Sequence, residues 1–262
     1  MIRALRTAAT GMFAQEMQID TISNNLANVN TTGYKKAKIE FQDLLYQNRR
    51  AIGVANIQGV NTPTEIQIGH GTAAVSVQKS FSQGDINVTE NPLDLAIDGN
   101  GFFQLLRNDG TIAYTRDGSF KLAADGRIIN SDGLVLEPEA TLPADTQSVR
   151  IAKDGVISVL TAGETEAIEI GRIEFARFIN PAGLENLCAN LYKATEAAGE
   201  PIIGSPGAEN FGTVRQGNLE MSNVQVVEEM INMIIAQRAY EINSKAIRTS
   251  EDMLNIASNL RR

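Results

Sequence analysis

The chain has 262 residues, 43% of them apolar and 21% charged, enough for one large domain or two small ones and unlike a disordered chain. A net charge of −8 argues against gripping nucleic acid through a basic face, and 22 Gly beside only 7 Pro fit neither a collagen-like nor a Pro-rich filament. One cysteine, Cys188, excludes an intrachain disulfide, and with one histidine, His70, it excludes a Cys/His zinc centre and nearly every catalytic set that needs a histidine base.

The absence of Trp removes a carbohydrate cleft lined with that residue and weakens a sugar-binding reading. No segment approaches the ~18 consecutive apolar residues of a membrane helix. The first ten residues lack the apolar core of a secretory signal. The expectation is no direct membrane insertion, no nucleic-acid partner and no Sec-type export.

Charge is segregated. Residues 1–50 carry seven Lys/Arg against four acids, and residues 223–262 carry five of each. The acidic excess therefore lies wholly between them.

The N-terminal stretch reads as a helix. Leu5, Met12, Ile19 and Leu26 recur every seven residues, with Ile2 and Ala9 in the companion heptad position. Glu16 and Ser23 continue that companion row, so the seam is imperfect. Gly11 weakens the helix by about 1 kcal/mol relative to Ala. Asn28–Gly33 supplies a stop.

Residues 46–70 read as a long extended loop or hairpin. From about 71 to 210 the pattern is short apolar runs between turns. Asp-Gly occurs six times, at 98–99, 109–110, 117–118, 125–126, 132–133 and 154–155, and Asp-Gly between apolar runs signals hairpins. The C-terminal stretch reads as a longer helix capped by Ser222 or Asn223, with Glu228 and Glu229 near its positive end. Its stripe runs Val224, Val227, Ile231, Ile234, Arg238, Ile242, Ala246, Thr249, Met253, Ile256 and Leu260, about 3.6 residues per step, which predicts a nearly straight helix.

The fold class is α+β, with long terminal helices paired as a coiled coil around a central antiparallel β-rich domain. Residues 1–33 with 222–262 form the helical part, 34–70 with 205–221 an extended connection, and 71–204 the outer β domain. The helices can pair through their stripes, yet Ile22, Val29, Met233, Ile235 and Tyr240 would then face outward. An exposed apolar stripe is a partner-binding surface. About ten buried stripe residues represent roughly 15–30 kcal/mol of gross transfer energy, much of it offset by ordering entropy. Leu5, Met12, Ile19, Leu26, Ile231, Ile234, Ile242, Met253, Ile256 and Leu260 are the predicted assembly residues.

Several residues invite chemistry. Asp94 and Asp98 share a strand face, as a glycosidase pair would, or belong to a loop after Pro92 and a turn at Gly99. His70, between two glycines, reads as a loop residue. Cys188 in Leu-Cys-Ala reads as a small core residue. Lys35, Lys36 and Lys38 read as a solvated face or as contacts to acidic neighbours in an assembly. The run Asn24, Asn25, Asn28 and Asn30 reads either as a frayed helix end or as a hydrogen-bonding surface between subunits. The residues point to no catalytic set, metal or cofactor.

Ala8-Ala-Thr-Gly-Met and Ile19-Asp-Thr-Ile-Ser-Asn-Asn-Leu-Ala-Asn-Val-Asn-Thr-Thr-Gly-Tyr-Lys closely resemble the N-terminal signature of the flagellar basal-body rod and hook protein family. Phe41-Gln-Asp-Leu-Leu-Tyr-Gln, Leu93-Asp-Leu-Ala-Ile-Asp-Gly-Asn-Gly-Phe-Phe, Ala113-Tyr-Thr-Arg-Asp-Gly, Asn180-Pro-Ala-Gly-Leu, Gln216-Gly-Asn-Leu-Glu-Met-Ser-Asn-Val and Ala236-Gln-Arg-Ala-Tyr-Glu-Ile-Asn-Ser-Lys extend it in family order. The motif residues carried over are Ser23, Asn24, Asn25, Leu26, Ala27, Asn28, Gly33, Gln237, Arg238 and Tyr240.

The resemblance implies a structural subunit, not an enzyme. It implies terminal helices packed as a coiled coil in the inner tube of a hollow helical rod, with the β domain outward. Length and the segment 46–66, distinctive of the distal rod and associated with its stiffness, imply a distal rod subunit that transmits torque from motor to hook. Arg49-Arg50, Val54–Val60 and Leu187-Cys188-Ala189 depart from the family pattern. Implied partners are further copies of the chain, proximal rod proteins, the hook protein, the P and L rings in Gram-negative cells, and the flagellar type III export apparatus. The implied location is the periplasm-spanning rod of the basal body, reached without a cleaved signal. The rivals are another rod or hook family member, such as a proximal rod protein, and a cell-wall hydrolase using Asp94 and Asp98.

Overall fold

A computed structural model describes residues 2–50, 66–161 and 167–259. An N-terminal helix, a β-rich central part and a C-terminal helix follow one another, an α+β chain. It divides into two compact units: residues 1–26, 37–78 and 225–262, and residues 27–36 with 79–224. Neither described helix is long and apolar enough to cross a membrane.

In the first unit, helix α1 spans Ile2–Ala27 and helix α2 spans Val226–Asn259. α1 stops where the Asn-rich turn begins, as its sequence predicts. α2 starts later than Ser222 or Asn223, and Asn223 does not cap it. The Asn223 Oδ1 instead accepts from the Lys36 backbone N–H at 2.7 Å, and its Nδ2 donates to the Ser80 and Ser82 carbonyls. The first unit also holds strand Ala37–Asp43, which pairs with Thr72–Lys79, and an antiparallel pair, Tyr46–Arg50 with Ile66–Gly69. The extended stretch from 46 is thus a hairpin at its base. Residues 51–65 of the rod-type segment lie outside the described residues.

The second unit is built from antiparallel ladders. A nine-stranded sheet has Phe102–Leu106 near its middle, paired with Ile112–Thr115, Val135–Glu137 and Phe175–Arg177. Thr146–Ile151, Val156–Thr161 and Ile168–Arg172 form a separate three-stranded sheet. Four of the Asp-Gly pairs work in one way. Gly110, Gly126, Gly133 and Gly155 adopt positive φ near +80° and close backbone bonds to Arg107, Ala123, Asn130 and Ala152. This is the left-handed residue of a three-residue hairpin loop, where glycine carries no Cβ penalty.

Successive side chains on a strand face opposite ways, and Phe102-Phe103 shows the result. Phe103 enters one core with Phe120 and Phe175, edge to face at 5.2 and 5.4 Å. Phe102 enters a second core with Tyr114, Phe178 and Tyr192. Cys188 is in neither. It is exposed, because it begins the turn between Glu185–Asn186 and Leu191–Lys193, where Ala189 and Asn190 have positive φ. The apolar neighbours that suggested a core site flank a tight loop instead.

A buried ion cluster joins the unit's distant segments. Glu220 meets Lys35 Nζ at 2.5 Å through one oxygen and Arg116 at 3.2 Å through the other. Lys35 Nζ also donates to the Ser82 carbonyl, Arg116 to the Gly99 carbonyl, and the Gly84 N–H to Glu220. Lys35 is 0% exposed, so it belongs to no solvated basic face. Burial pushes the Lys35 and Arg116 pKa values down, and the Glu220 charge acts against that in both.

Breaking one side of such a buried set costs far more than omitting it altogether. Glu220→Gln should destabilise the chain by about 3–5 kcal/mol in chemical denaturation. Replacing the set with apolar side chains (Lys35→Met, Arg116→Met, Glu220→Leu) should recover most of that loss. Alkali offers a second check. Burial raises the Tyr192 and Tyr114 pKa values above the ordinary 10.0. The unfolded chain then sheds phenol protons that the folded one keeps, so this contribution is full below pH 10 and falls above it. Phenolate absorbance should rise in two steps, the later one together with loss of tertiary circular dichroism.

Candidate assembly surface

α1 and α2 touch through small and polar residues. Asn25 Nδ2 donates to the Glu229 carboxylate at 3.3 Å, and a Cβ on Gly11 would lie 2.8 Å from the Asn243 amide. The two contacts are fourteen residues apart on each helix and run in opposite directions, so the helices are antiparallel there. The buried residues agree. On α1 they are Ala8, Ala14, Ile22 and Asn25, and on α2 they are Glu229, Ala236 and Ser250.

The predicted assembly residues occupy other faces. At 3.6 residues per turn, Leu5, Met12, Ile19 and Leu26 lie about a quarter turn from the buried face of α1, and all four are half-buried. Ile22, expected on the outside, is 2% exposed because it falls in line with Ala8 and Asn25. On α2 the displacement is larger. Val227, Ile231, Ile234, Ile242, Met253 and Ile256 form a stripe almost opposite Glu229, Ala236 and Ser250. Ile242 is 67% and Ile256 60% exposed. Ile235 is exposed beside it, whereas Tyr240, also exposed, lies on the other side of the helix, flanking the buried face. Among the described residues the α2 stripe is therefore not closed into a seam against α1, and pairing of the two helices through their stripes is not seen. Leu260 lies outside the described residues.

The motif residues divide between two roles. Asn25 is a local clasp. Its Oδ1 accepts from the Ala37 N–H at 2.8 Å, and its Nδ2 also donates to the Ala37 carbonyl at 2.9 Å. One amide thus satisfies both backbone groups of the first strand residue and reaches Glu229. Gly33, at φ +65°, donates its N–H to the Glu220 carbonyl at 2.8 Å, and a Cβ there would strike the Asp117 backbone at 2.5 Å. Thr31 bonds back to Asn28. Ser23, Asn24, Ala27, Gln237, Arg238 and Tyr240 are exposed, Leu26 is half-buried, and Arg238 pairs with Glu241 one turn on.

The other candidates have partners of their own. Asn91 donates to Asp94 at 2.9 Å, and Arg215 pairs with Asp98 at 2.6 Å, so each carboxylate anchors a loop or strand end. His70 lies in the loop after Gly69, beside Arg3, Arg6 and Thr7. Among the described residues no group of three or more His, Cys, Asp or Glu could hold a metal.

Sequence reasoning passed over Glu220. Its partners Lys35 and Arg116 stand 185 and 104 residues away in two other motifs, and nothing local in the sequence marks the contact.

Three family models match the chain. The flagella basal body rod protein model covers residues 5–35, the flagellar hook protein FlgE/F/G D1 domain covers 96–159, and the flagellar basal body rod FlgEFG protein C-terminal model covers 215–260. The flagellar basal-body rod protein FlgG of Borreliella burgdorferi is 50% identical over all of both chains. Its namesake from Buchnera aphidicola is 45% identical over 99% of this chain and 100% of the relative, and that from Caulobacter vibrioides is 42% identical over 99% and 100%. With these matches running from end to end, the chain belongs to the flagellar basal-body rod protein family and is a structural subunit of the flagellar distal rod.

Proposed function

We propose that the subunit builds the rod by burying the α2 stripe against neighbouring copies. The observation that carries this reading is the row from Val227 to Ile256, large apolar side chains exposed on the face turned away from α1. A surface of that kind on a long helix is an interaction site. Leu5, Met12, Ile19 and Leu26 would complete the contact from the adjoining face of α1, with Ile231, Ile234, Ile242, Met253 and Ile256 supplied by α2 and Leu260 taking part from beyond it.

In the polymer the helical parts, 1–33 and 222–262, would pack as a coiled coil forming the inner tube of a hollow shaft. Residues 34–70 with 205–221 would connect them to an outer β domain, 71–204. The segment 46–66 would stiffen the shaft. The shaft would join proximal rod to hook, pass through the P and L rings where an outer membrane exists, and carry torque without any catalytic step. Delivery would use the flagellar type III apparatus.

Ile242→Asp and Ile256→Asp should each abolish rod formation and motility in cells while leaving the β-rich unit folded. Rod counts by electron microscopy and near-ultraviolet circular dichroism of the purified chain test this, and normal rods would defeat the reading. Limited proteolysis of dilute monomer should leave a resistant core within about 71–210 and cut both terminal stretches quickly. Equal resistance of the ends would mean that they are already packed in one chain.

A further inference from the structure

We propose that a cleft in the β-rich unit, between Arg116, Arg177 and the rings of Phe81, Phe102 and Phe178, binds a carboxylate carried on an apolar group. The cleft measures about 250 Å³, below the usual volume for a drug-sized ligand and suited to one ring or side chain. The proposal stands apart from the assembly reading, since it rests on buried charge and not on the α2 stripe.

The charge count is the first argument. Lys35 and Arg116 share one carboxylate, Glu220, so one positive charge is left over in a dry site. Arg116 is 3% exposed. Two of its nitrogens are used, one on Glu220 and one on the Gly99 carbonyl. Its Nε is buried without a hydrogen-bond partner among the described residues. Arg177 adds a second cation with the same feature, a buried and unpartnered Nε. Both arginines line the same cleft. An unbalanced buried charge favours an anion strongly, because the field is poorly screened there. A guanidinium prefers a planar carboxylate, which accepts two parallel N–H bonds.

The walls decide what carries the carboxylate. Phe102 stacks edge-on with Phe81 at 5.4 Å and Phe178 at 5.8 Å, and the Arg116 guanidinium lies 5.4 Å from the Phe102 ring centre. Ile179, 80% exposed, stands beside them. An aromatic wall in a cleft that two arginines also line suits an apolar body ending in an acid. Two sources share this chemistry: a free aromatic or aliphatic acid, and an acidic side chain of a neighbouring copy.

Benzoate is the probe. Titrated into the purified full chain and followed by NMR, it should bind saturably with a Kd on the order of 1 mM. Neutral benzyl alcohol should bind roughly tenfold or more weakly. Equal binding of the two, or no saturable benzoate binding, overturns the proposal without any variant. Arg177→Met, which keeps the stem and removes the charge, should weaken benzoate by roughly tenfold or more, and unchanged affinity in a folded variant also overturns it. Where benzoate binding is lost as expected, the same variant in cells separates the sources. Intact rods support a free acid in the cleft, and missing rods support a carboxylate from the neighbouring copy.

Discussion

One carboxylate organises the β-rich unit. Glu220 is reached by Lys35, Arg116 and the Gly84 N–H, which lie 185, 104 and 136 residues away in sequence. No local preference could bring these segments together. Removing a partner from a buried charge is strongly destabilising, so arrangements that separate these segments are penalised. Buried pairs of this sort add little net stability over an apolar core, but they penalise wrong arrangements heavily. Gly33 and Asn223 finish the same junction with backbone-directed bonds. Three of the motifs that mark the family thus meet at one structural joint.

The helices obey a different constraint. Their mutual contact is made by Gly11, Asn25, Glu229 and Asn243, residues that permit close approach or hydrogen-bond but transfer little apolar area. The apolar investment of α2 points elsewhere. A 34-residue helix held mainly by such contacts is weakly supported in one chain, since isolated helices are marginal in water and packing supplies most helical stability. Under the assembly proposed above, burial of the stripe would supply the packing that these contacts lack.

Much of this was legible before any coordinates. Both helices, the hairpin-rich centre and the α+β class followed from periodicity and from Asp-Gly turns, because those signals are local. The stripe of α2 was legible too, but not the face on which α1 would sit. A heptad of small and polar residues, Glu229, Ala236, Asn243 and Ser250, carries no hydrophobic signal, so apolar periodicity pointed to the wrong side. Cys188 misled for a related reason: two apolar neighbours say nothing about a positive-φ turn between them. Lys35 looked solvated because its partner lies 185 residues away, and electrostatic pairing at that range has no signature in a single sequence.

If the stripe is the assembly contact proposed above, its exposure bears on how the polymer would grow. Val227, Ile231, Ile234, Ile235, Ile242, Met253 and Ile256 are already partly covered, between 46% and 71% exposed. Completing their burial adds about half of the ~1.5–3 kcal/mol that full burial of each side chain contributes, roughly 5–10 kcal/mol in all. Bringing two molecules together costs an estimated ~4–15 kcal/mol in lost freedom. A pairwise encounter in solution therefore comes out near balance. A subunit entering a position bounded by several copies gains the apolar term on more than one side but meets the association cost once. On the assembly proposed above, the stripe would therefore favour growth at an existing end over a new start.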